Sequence, residues 1–353
     1  MANRRQFLLR LAVGSIATGA FLWLFLRIAH LGDAWDEITG LPWWAVTAAL
    51  AFVLANSAAI ALRWRYLFSA ARYKTTAKRL FPIYCVGAAA NNVLPARGGD
   101  LLRIESVREH YRIPPFVTAG TLFAERLLDG IVLSVWILMG AIWIGETGIL
   151  LLAGIGLSAG CALGIAIVGA AARKPEKAEE IVWKLTKRLP QRWHSRIGRW
   201  TANFVEGLGA FRARRPLVRV LWTSVVIWLA DFGMYYVIGK GYGLDLSAGS
   251  YFVLEGVGNL ALGVPATAAG LGSFDYLTLV SAEQLGVGTD SGVPYVLTVH
   301  AMVVLPVTIL GLAFVFTAFP QLFNRLLRGK RGRQEAQAAA TEQEHSSEAY
   351  RKA

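Results

Sequence analysis

The chain has 353 residues, of which 55% are hydrophobic and only 17% are charged, and its mean hydropathy is +0.46. This composition is typical of an integral membrane protein and excludes an ordinary soluble domain. The net charge of +13 does not indicate nucleic-acid binding. The basic residues lie in short loops beside apolar segments, and no nucleic-acid-binding motif accompanies them.

Apolar segments long enough to cross a membrane follow one another along the chain. A helix needs about 20 residues to cross a hydrocarbon core of ~30 Å. The first segment is predicted to be an uncleaved transmembrane helix rather than a signal peptide, because Arg10 interrupts it and no convincing cleavage site follows. The windows cover residues 7–29, 42–62, 117–144, 149–171, 218–239 and 295–319.

Two further apolar regions, 80–95 and 250–286, are interrupted by stretches rich in Gly, Pro and Ala. These stretches are NNVLPARGGDLLR at 91–103 and GVPATAAGLGSFD at 263–275. Lipid cannot hydrogen-bond an open backbone, so such a break persists only where protein or water surrounds it. We therefore predict a re-entrant helical hairpin in each region. The residues that shape the two breaks are Pro95, Gly98, Gly99, Pro265, Gly270 and Gly272.

Charge placement predicts the orientation of this all-α helix bundle. If both hairpins return to the side they enter from, all but three of the 36 Lys and Arg residues fall on one side of the membrane. The exceptions are Arg27 and Lys240 outside, and Arg126 within a span. The positive-inside rule then places both termini in the cytoplasm of a multi-pass protein of the inner membrane. The two halves form an inverted repeat, the arrangement associated with alternating access.

A basic segment separates the two halves. Residues 173–219 contain thirteen Arg and Lys against four Glu, with aromatic residues interleaved. This pattern predicts a cytoplasmic amphipathic segment over 173–217 that lies on the membrane surface, and a solvated connector is the alternative. The chain divides into a transmembrane domain over 1–328 and a polar tail over 329–353 that is predicted to be disordered.

Charged side chains within membrane segments are costly, so they are candidate functional residues. Glu125, Arg126 and Asp129 are the clearest group. Residues three and four apart share a helix face, so all three side chains can point into the bundle, where the carboxylates partly neutralise the arginine. The alternative is a structural ion cluster near the cytoplasmic entrance.

Polar residues at the first break are suited to binding a lipid headgroup. Arg97 and Arg103 can hold a phosphate bidentately, with Asp100 between them. The alternative is that these arginines only anchor the chain at the membrane face. Asn91 and Asn92 lie in an apolar hairpin, where amides must find partners. We expect them to satisfy backbone groups freed by the break.

The second break carries fewer cations, so we assign it gating or proton sensing. Glu255, Asn259 and Asp275 are its polar residues. Asp231 in 218–239 and His300 in 295–319 are isolated polar groups that could relay protons. For His300, the alternative is a satisfied hydrogen bond in the core.

Nothing in the sequence calls for a cofactor or a metal. Cys85 and Cys161 lie in separate apolar runs, so they are expected to be buried free thiols rather than a disulfide. The sequence contains neither a Cys/His zinc spacing nor a phosphate-binding loop of the ATPase type. An ATP-driven pump formed by this chain alone is therefore not expected.

Two separated motifs, in order, resemble those of the lysylphosphatidylglycerol synthase transmembrane-region family, also described as flippase-like membrane proteins. The resemblance extends over the chain up to about residue 325. In the first half the matching residues are Asn91, Pro95, Arg97, Gly99, Asp100 and Arg103, followed by Glu125, Arg126 and Asp129. In the second half they are Pro265, Thr267, Gly270, Leu271, Gly272 and Asp275. Asp replaces the family's Glu at 100 and 275, and Ala268 and Ala269 replace its Pro and Gly.

The resemblance implies a lipid translocase rather than an enzyme. The family includes the lipid-translocating half of aminoacyl-phosphatidylglycerol enzymes and free-standing relatives. The expected partners are anionic phospholipids or polyprenyl-phosphate-linked lipids, with homo-oligomerisation left open. The first alternative is a membrane glycosyl or aminoacyl transferase acting on a lipid carrier, for which Asp33 and Asp36 would be an acidic pair. The second is an assembly or regulatory partner without transport.

Overall fold

A computed structural model describes residues 18–27, 29, 34–93, 98–145, 148–263 and 268–317. This described part is all-helical, which confirms the predicted fold class. Its α-helices are α1 Thr18–Arg27, α2 Ala34–Thr39, α3 Trp43–Ala70, α4 Ala77–Val93, α5 Gly98–Tyr111, α6 Pro115–Trp143, α7 Ile149–Arg173, α8 Pro175–Thr186, α9 Gln191–Gly207, α10 Arg214–Gly241, α11 Ala248–Leu262, α12 Ser273–Gln284 and α13 Thr289–Thr317. Short 3₁₀ turns occur at Gly209–Arg212 and Ala268–Gly270.

Five helices in the described part are long and apolar enough to cross a membrane, namely α3, α6, α7, α10 and α13. They correspond to five of the six predicted windows. Of the sixth window, 7–29, the structure describes α1, which is shorter. Helix α3 continues well past the predicted end at residue 62 and stops only before Arg72, whose φ is +67°.

The longer α3 corrects one prediction. The charge pattern placed Arg63 in a cytoplasmic loop, whereas the structure buries its side chain inside the bundle with 1% exposure. The apolar run ends at 62, but the helix does not, because Trp64, Leu67 and Phe68 continue its buried face. An arginine at such a position is retained inside only if carboxylates neutralise it.

Helices α4 and α5 pack against each other, as do α11 and α12. These four helices have 17, 14, 15 and 12 residues. The first pair begins at Ala77 and ends at Tyr111, so it is longer than the predicted region 80–95. Residues 94–97 and 264–267, which join the helices of each pair, lie outside the described residues.

The packing of the two halves follows one pattern. Each half contains a long helix, a short helix pair and a second long helix, and the long helices have 28 and 29 residues in both halves. Helix α3 packs against α10 across the centre of the bundle. Helix α4 packs against α13, and α11 packs against α6. If each helix is replaced by its counterpart in the other half, these three helix contacts remain the same.

The basic segment forms α8 and α9, and α9 packs against α6 from Trp200 to its end. Trp200 stacks on Phe116 of α6 with ring centroids 4.8 Å apart. Gly207 lies against Gly120, where a Cβ would come within 2.3 Å of the Phe204 carbonyl oxygen. In contrast, α8 contains no buried residue.

A hydrogen bond outside the membrane segments also holds α9. The phenol of Tyr73, just after α3, donates to a Glu206 carboxylate oxygen at 3.4 Å. Partial burial and the nearby carboxylate raise the pKa of Tyr73. The phenol is therefore neutral at physiological pH and remains a donor.

Candidate functional site

A polar cavity of about 470 Å³ lies at the centre of the bundle. Both helix pairs and all the long helices except α7 contribute to its wall. Its polar lining residues are Asn56, Ser57, Arg63, Tyr84, Asn91, Asn92, Arg103, Glu125, Arg126, Asp129, Asp231 and Asn259. The backbone turn at Ala269 and Gly270 also lines it.

Glu125 is the centre of a buried ion cluster at one end of this cavity. Its carboxylate accepts two hydrogen bonds from Arg103, at 3.1 and 3.2 Å, in bidentate geometry. The guanidinium of Arg63 lies 4.0 Å from the same carboxylate. Glu125 and Arg103 are each 3% exposed. Arg103 also stacks over the Trp64 ring, with its guanidinium carbon 4.2 Å from the ring centroid.

Arg63 is a charged residue of the cavity wall that the sequence analysis missed. It pairs with both carboxylate oxygens of Asp129, one of them at 3.1 Å, and donates to the Ser224 hydroxyl at 3.1 Å. These bonds join α3, α6 and α10. The sequence did contain a signal that α3 continues past residue 62. Arg63 lies directly after an uninterrupted apolar window and is followed by the apolar residue Trp64.

Arg63, Arg103 and Arg126 all line the cavity, but Arg126 differs from the other two because its side chain is exposed. The side chain keeps 46% of its surface exposed although it lies well inside the bundle. In the described part its ion-pair partner is Asp100, at 3.4 Å. This is a single, long contact to a carboxylate that is itself 28% exposed. Of the three described arginines that line the cavity, Arg126 has the most exposed side chain, and its closest ion-pair contact is the longest.

The asparagines of the first helix pair find different partners. Asn91 accepts a hydrogen bond from the Gly99 backbone amide at 2.8 Å and donates to Asp100 at 3.3 Å. Asn91 thus satisfies a backbone amide at the start of α5, next to the break. Asn92 instead donates to the Thr308 hydroxyl at 2.9 Å and so joins α4 to α13.

Gly99 lets the helices of the first pair cross closely. A Cβ at this position would come within 1.9 Å of the Gly87 carbonyl oxygen. On the other side of the crossing, a Cβ at Gly87 would meet the Arg103 side chain at 2.4 Å. Gly87 and the motif residue Gly99 are therefore required by packing, and Gly87 leaves room for the Arg103 side chain.

The second helix pair contributes a separate polar group to the cavity. The Asn259 amide donates to Asp231 at 2.9 Å and to the Glu255 backbone carbonyl at 3.0 Å. Asp231 and Asn259 line the cavity. Glu255 lies one turn before Asn259 and is fully buried, with 0% exposure.

His300 holds the turn of the second pair rather than lining the cavity. One ring nitrogen lies 2.7 Å from Asp275 and the other lies 2.8 Å from the Ala269 carbonyl oxygen. Asp275 also accepts from the Gly272 amide at 2.9 Å. Ala269, Gly270 and Gly272 all have positive φ, so the turn is tightly left-handed there. The geometry matches the alternative of a satisfied core hydrogen bond for His300.

The structure thus gathers most of the predicted site residues around one cavity but divides them into two groups. Arg103, Asp100, Glu125, Arg126 and Asp129 join Arg63 in the ion cluster. Asp231, Asn259 and Glu255 form the second group, while Asp275 and His300 belong to the turn. Pro95, Arg97 and Pro265 lie outside the described residues, as does Asp33, and Asp36 lies in α2.

The ion cluster is electrically balanced. Three arginines face three carboxylates, so the cluster carries no formal net charge. Within the described ranges, no group of three or more His, Cys, Asp or Glu is placed to hold a metal ion.

The fold and the site define a polytopic helical membrane protein with a charged cavity between two short helix pairs. The chain matches the family described as "Lysylphosphatidylglycerol synthase TM region" over residues 7–311 and belongs to it. This membership confirms the resemblance read from the two motifs and gives the protein a lipid-related function in a membrane. No match was found among curated proteins.

Proposed function

We propose that this protein is a lipid translocase that moves a phosphate-bearing lipid, or a lipid-linked precursor, across the inner membrane by alternating access. The central observation is one polar cavity lined by both short helix pairs. Transporters with repeated halves bind substrate at the repeat interface, near the bilayer midplane. The lipid tails remain in the bilayer, since a cavity of about 470 Å³ suits a headgroup.

The lengths of the short helices support re-entrant pairs. At 1.5 Å per residue, α4, the longest of the four, extends only about 25 Å, which is less than a hydrocarbon core of ~30 Å. A pair that enters and leaves on one side reverses the orientation of the next long helix. The two halves then have opposite orientations, which makes the exchangeable packing of α4 on α13 and α11 on α6 an inverted repeat.

Arg126 is the proposed contact for the phosphate. A headgroup phosphate in the cavity competes with Asp100 for the exposed guanidinium of Arg126. Arg103 and Arg63 remain paired with Glu125 and Asp129 and keep the surrounding charge fixed. Anionic phospholipids and polyprenyl-phosphate-linked lipids share the phosphate that this site would recognise. Transport is then passive or ion-coupled and requires no chemical conversion of the lipid.

The test is transfer of fluorescent phosphatidylglycerol between leaflets of proteoliposomes, measured by reduction with dithionite from outside. Arg126→Gln removes a charge-assisted hydrogen bond worth about 1.5–3 kcal/mol. Transfer should therefore slow by roughly tenfold or more. Arg108→Gln is the matched control, because Arg108 forms an ion pair with Glu105 at 2.6 Å on the outside of α5.

Equal transfer by the Arg126→Gln and Arg108→Gln proteins would refute the role of Arg126. The same proteoliposomes, loaded with a fluorescent polyprenyl phosphate, distinguish between the two lipid classes. Turnover of a labelled sugar-nucleotide or aminoacyl donor by the purified protein would instead favour the transferase alternative.

A further inference from the structure

Glu255 is a buried carboxyl group that nothing in its surroundings neutralises. It is 0% exposed, and neither carboxyl oxygen has a hydrogen-bond partner among the described residues. The indole of Trp136 faces it, but its N–H does not reach hydrogen-bond geometry. Glu125 shows the contrast, since two arginines surround that equally buried carboxylate.

The groups that face Glu255 are acidic or neutral on every packed element. This carboxyl interacts electrostatically with Asp231 and Tyr235 of α10 and with Tyr295 of α13. Helix α6 contributes Trp136. On α12, the charged residue Asp275 is engaged by His300. A bare carboxylate is strongly disfavoured in such a place, and the group takes up a proton instead.

Two residues of α10 offer a route from this carboxyl to the cavity. The Tyr235 phenol interacts electrostatically with both Glu255 and Asp231, although its hydroxyl forms no hydrogen bond to either carboxyl in the described part of the chain. Asp231 lines the cavity and is held by Asn259. A tyrosine hydroxyl accepts one proton while it donates another, so it can pass a proton without changing its own state.

We infer that Glu255 is a proton-binding site that exchanges its proton with the cavity through Tyr235 and Asp231. Once the Tyr235 hydroxyl forms hydrogen bonds to both carboxyls, Glu255 gives its proton to the Tyr235 oxygen as the Tyr235 hydroxyl gives its own proton to the Asp231 carboxylate. Glu255 becomes a carboxylate, Asp231 becomes an acid, and Tyr235 is unchanged. Glu255 and Asp231 together carry one proton and one negative charge before and after the step. Asp231 then releases the proton to water in the cavity.

The consequence for transport rests on the proposed function. The proton site lies on α11, whose helix pair lines the cavity opposite the ion cluster. If movement of this pair exposes Asp231 to each side in turn, headgroup transfer is coupled to proton transfer. The Glu255 carboxyl must be neutral to stay buried. Its proton is therefore bound in those conformations of the α11–α12 helix pair that bury it.

Infrared spectroscopy of the full-length protein in lipid tests the proton site without any transported substrate. The wild-type protein should show a protonated-carboxyl band at neutral pH that shifts on transfer to D₂O. Glu255→Gln should abolish this band, and Tyr235→Phe should keep it but slow its shift. Glu283→Gln, at an exposed carboxylate on α12, is the control and should leave the band unchanged. Absence of the band, or its persistence in Glu255→Gln, would overturn the proposal.

Coupling is tested with fluorescent phosphatidylglycerol and fluorescent polyprenyl phosphate in proteoliposomes that hold a gradient of about one pH unit. One coupled proton shifts the final distribution of the transported probe between leaflets by about tenfold. Glu255→Gln should remove the shift. A distribution that ignores the gradient in the wild-type protein would refute coupling. If wild-type protein moved neither probe while Glu255→Gln still lost the infrared band, the proposed function would fail and the proton site would stand.

Discussion

At the scale of single residues, the site depends on how buried charges are paired. Glu125 neutralises Arg103 and contributes to Arg63, while Asp129 completes the pairing of Arg63. A buried ion pair adds little stability compared with an apolar replacement, but losing one partner leaves an uncompensated charge. The cluster therefore holds the cavity wall in one arrangement, with Arg126 left as its exposed cation.

Glu125→Gln should lower the free energy of unfolding by about 3–5 kcal/mol, because it leaves Arg103 buried without its anionic partner. The measurement is equilibrium unfolding in mixed micelles titrated with a denaturing detergent. Glu105→Gln breaks an exposed pair with Arg108 and should change stability by less than about 1 kcal/mol. The double variant Arg103→Met/Glu125→Gln should recover part of the loss. Equal stability of the two single variants would contradict this account.

At the scale of elements, α8 is the helix whose surface the bundle leaves uncovered. Ile181 and Leu185 share one face of α8 and are 60% and 77% exposed, and Leu189, just after the helix, is 44% exposed. Glu180 lies on the opposite face. Helix α9 follows, with arginines beside an apolar face that reaches α6. An apolar stripe next to cations is the pattern of a helix lying in the headgroup region.

A bimane fluorophore attached at Leu185→Cys should be quenched by brominated lipids, and more strongly in vesicles containing phosphatidylglycerol. The expected reason is that the apolar face of α8 enters the interface while nearby Arg and Lys side chains contact anionic headgroups. The background protein carries Cys85→Ala and Cys161→Ala. The same fluorophore at Glu180→Cys is the control and should stay unquenched. Equal quenching at both positions would indicate a solvated connector.

At the scale of the whole molecule, two similar halves enclose one cavity. The long helices match in length, and each short pair packs on the closing long helix of the other half. Such a packing leaves α3 and α10 in contact at the centre, where the halves can rock against each other. The ion cluster is formed mainly by residues of the first half. The carboxyl groups of Asp231 and Glu255 belong to the second half, so the two ends of the cavity differ in chemistry.

Re-entrant pairs predict which loops share a membrane face. Cysteines at Lys74 and Arg112, which flank the first pair, should react with a membrane-impermeant maleimide from the same side. Cysteines at Asp245 and Gly288, which flank the second pair, should both react from the opposite side. All four positions are exposed. Labelling of Lys74→Cys and Arg112→Cys from opposite sides would show that the first pair crosses the membrane once.

The sequence by itself determined the helical fold class, five long helices, the two interrupted regions and the family. Hydropathy and periodicity report how each segment partitions into lipid, and this is a local property. The motif residues Asn91, Gly99 and Asp100 contact one another where α4 ends and α5 begins, so their association is local in sequence.

Only the tertiary structure decided how these residues are paired. Arg63 and Asp129 are 66 positions apart in the chain, and the packing of α4 on α13 joins opposite halves. The end of α3 depends on burial of Trp64 and Phe68 by other helices rather than on the apolar run that precedes them. Ion pairing and burial are properties of contacts between distant segments. For this reason the sequence could identify the charged residues but could not show that Arg103 is bound to Glu125 while Arg126 faces the cavity.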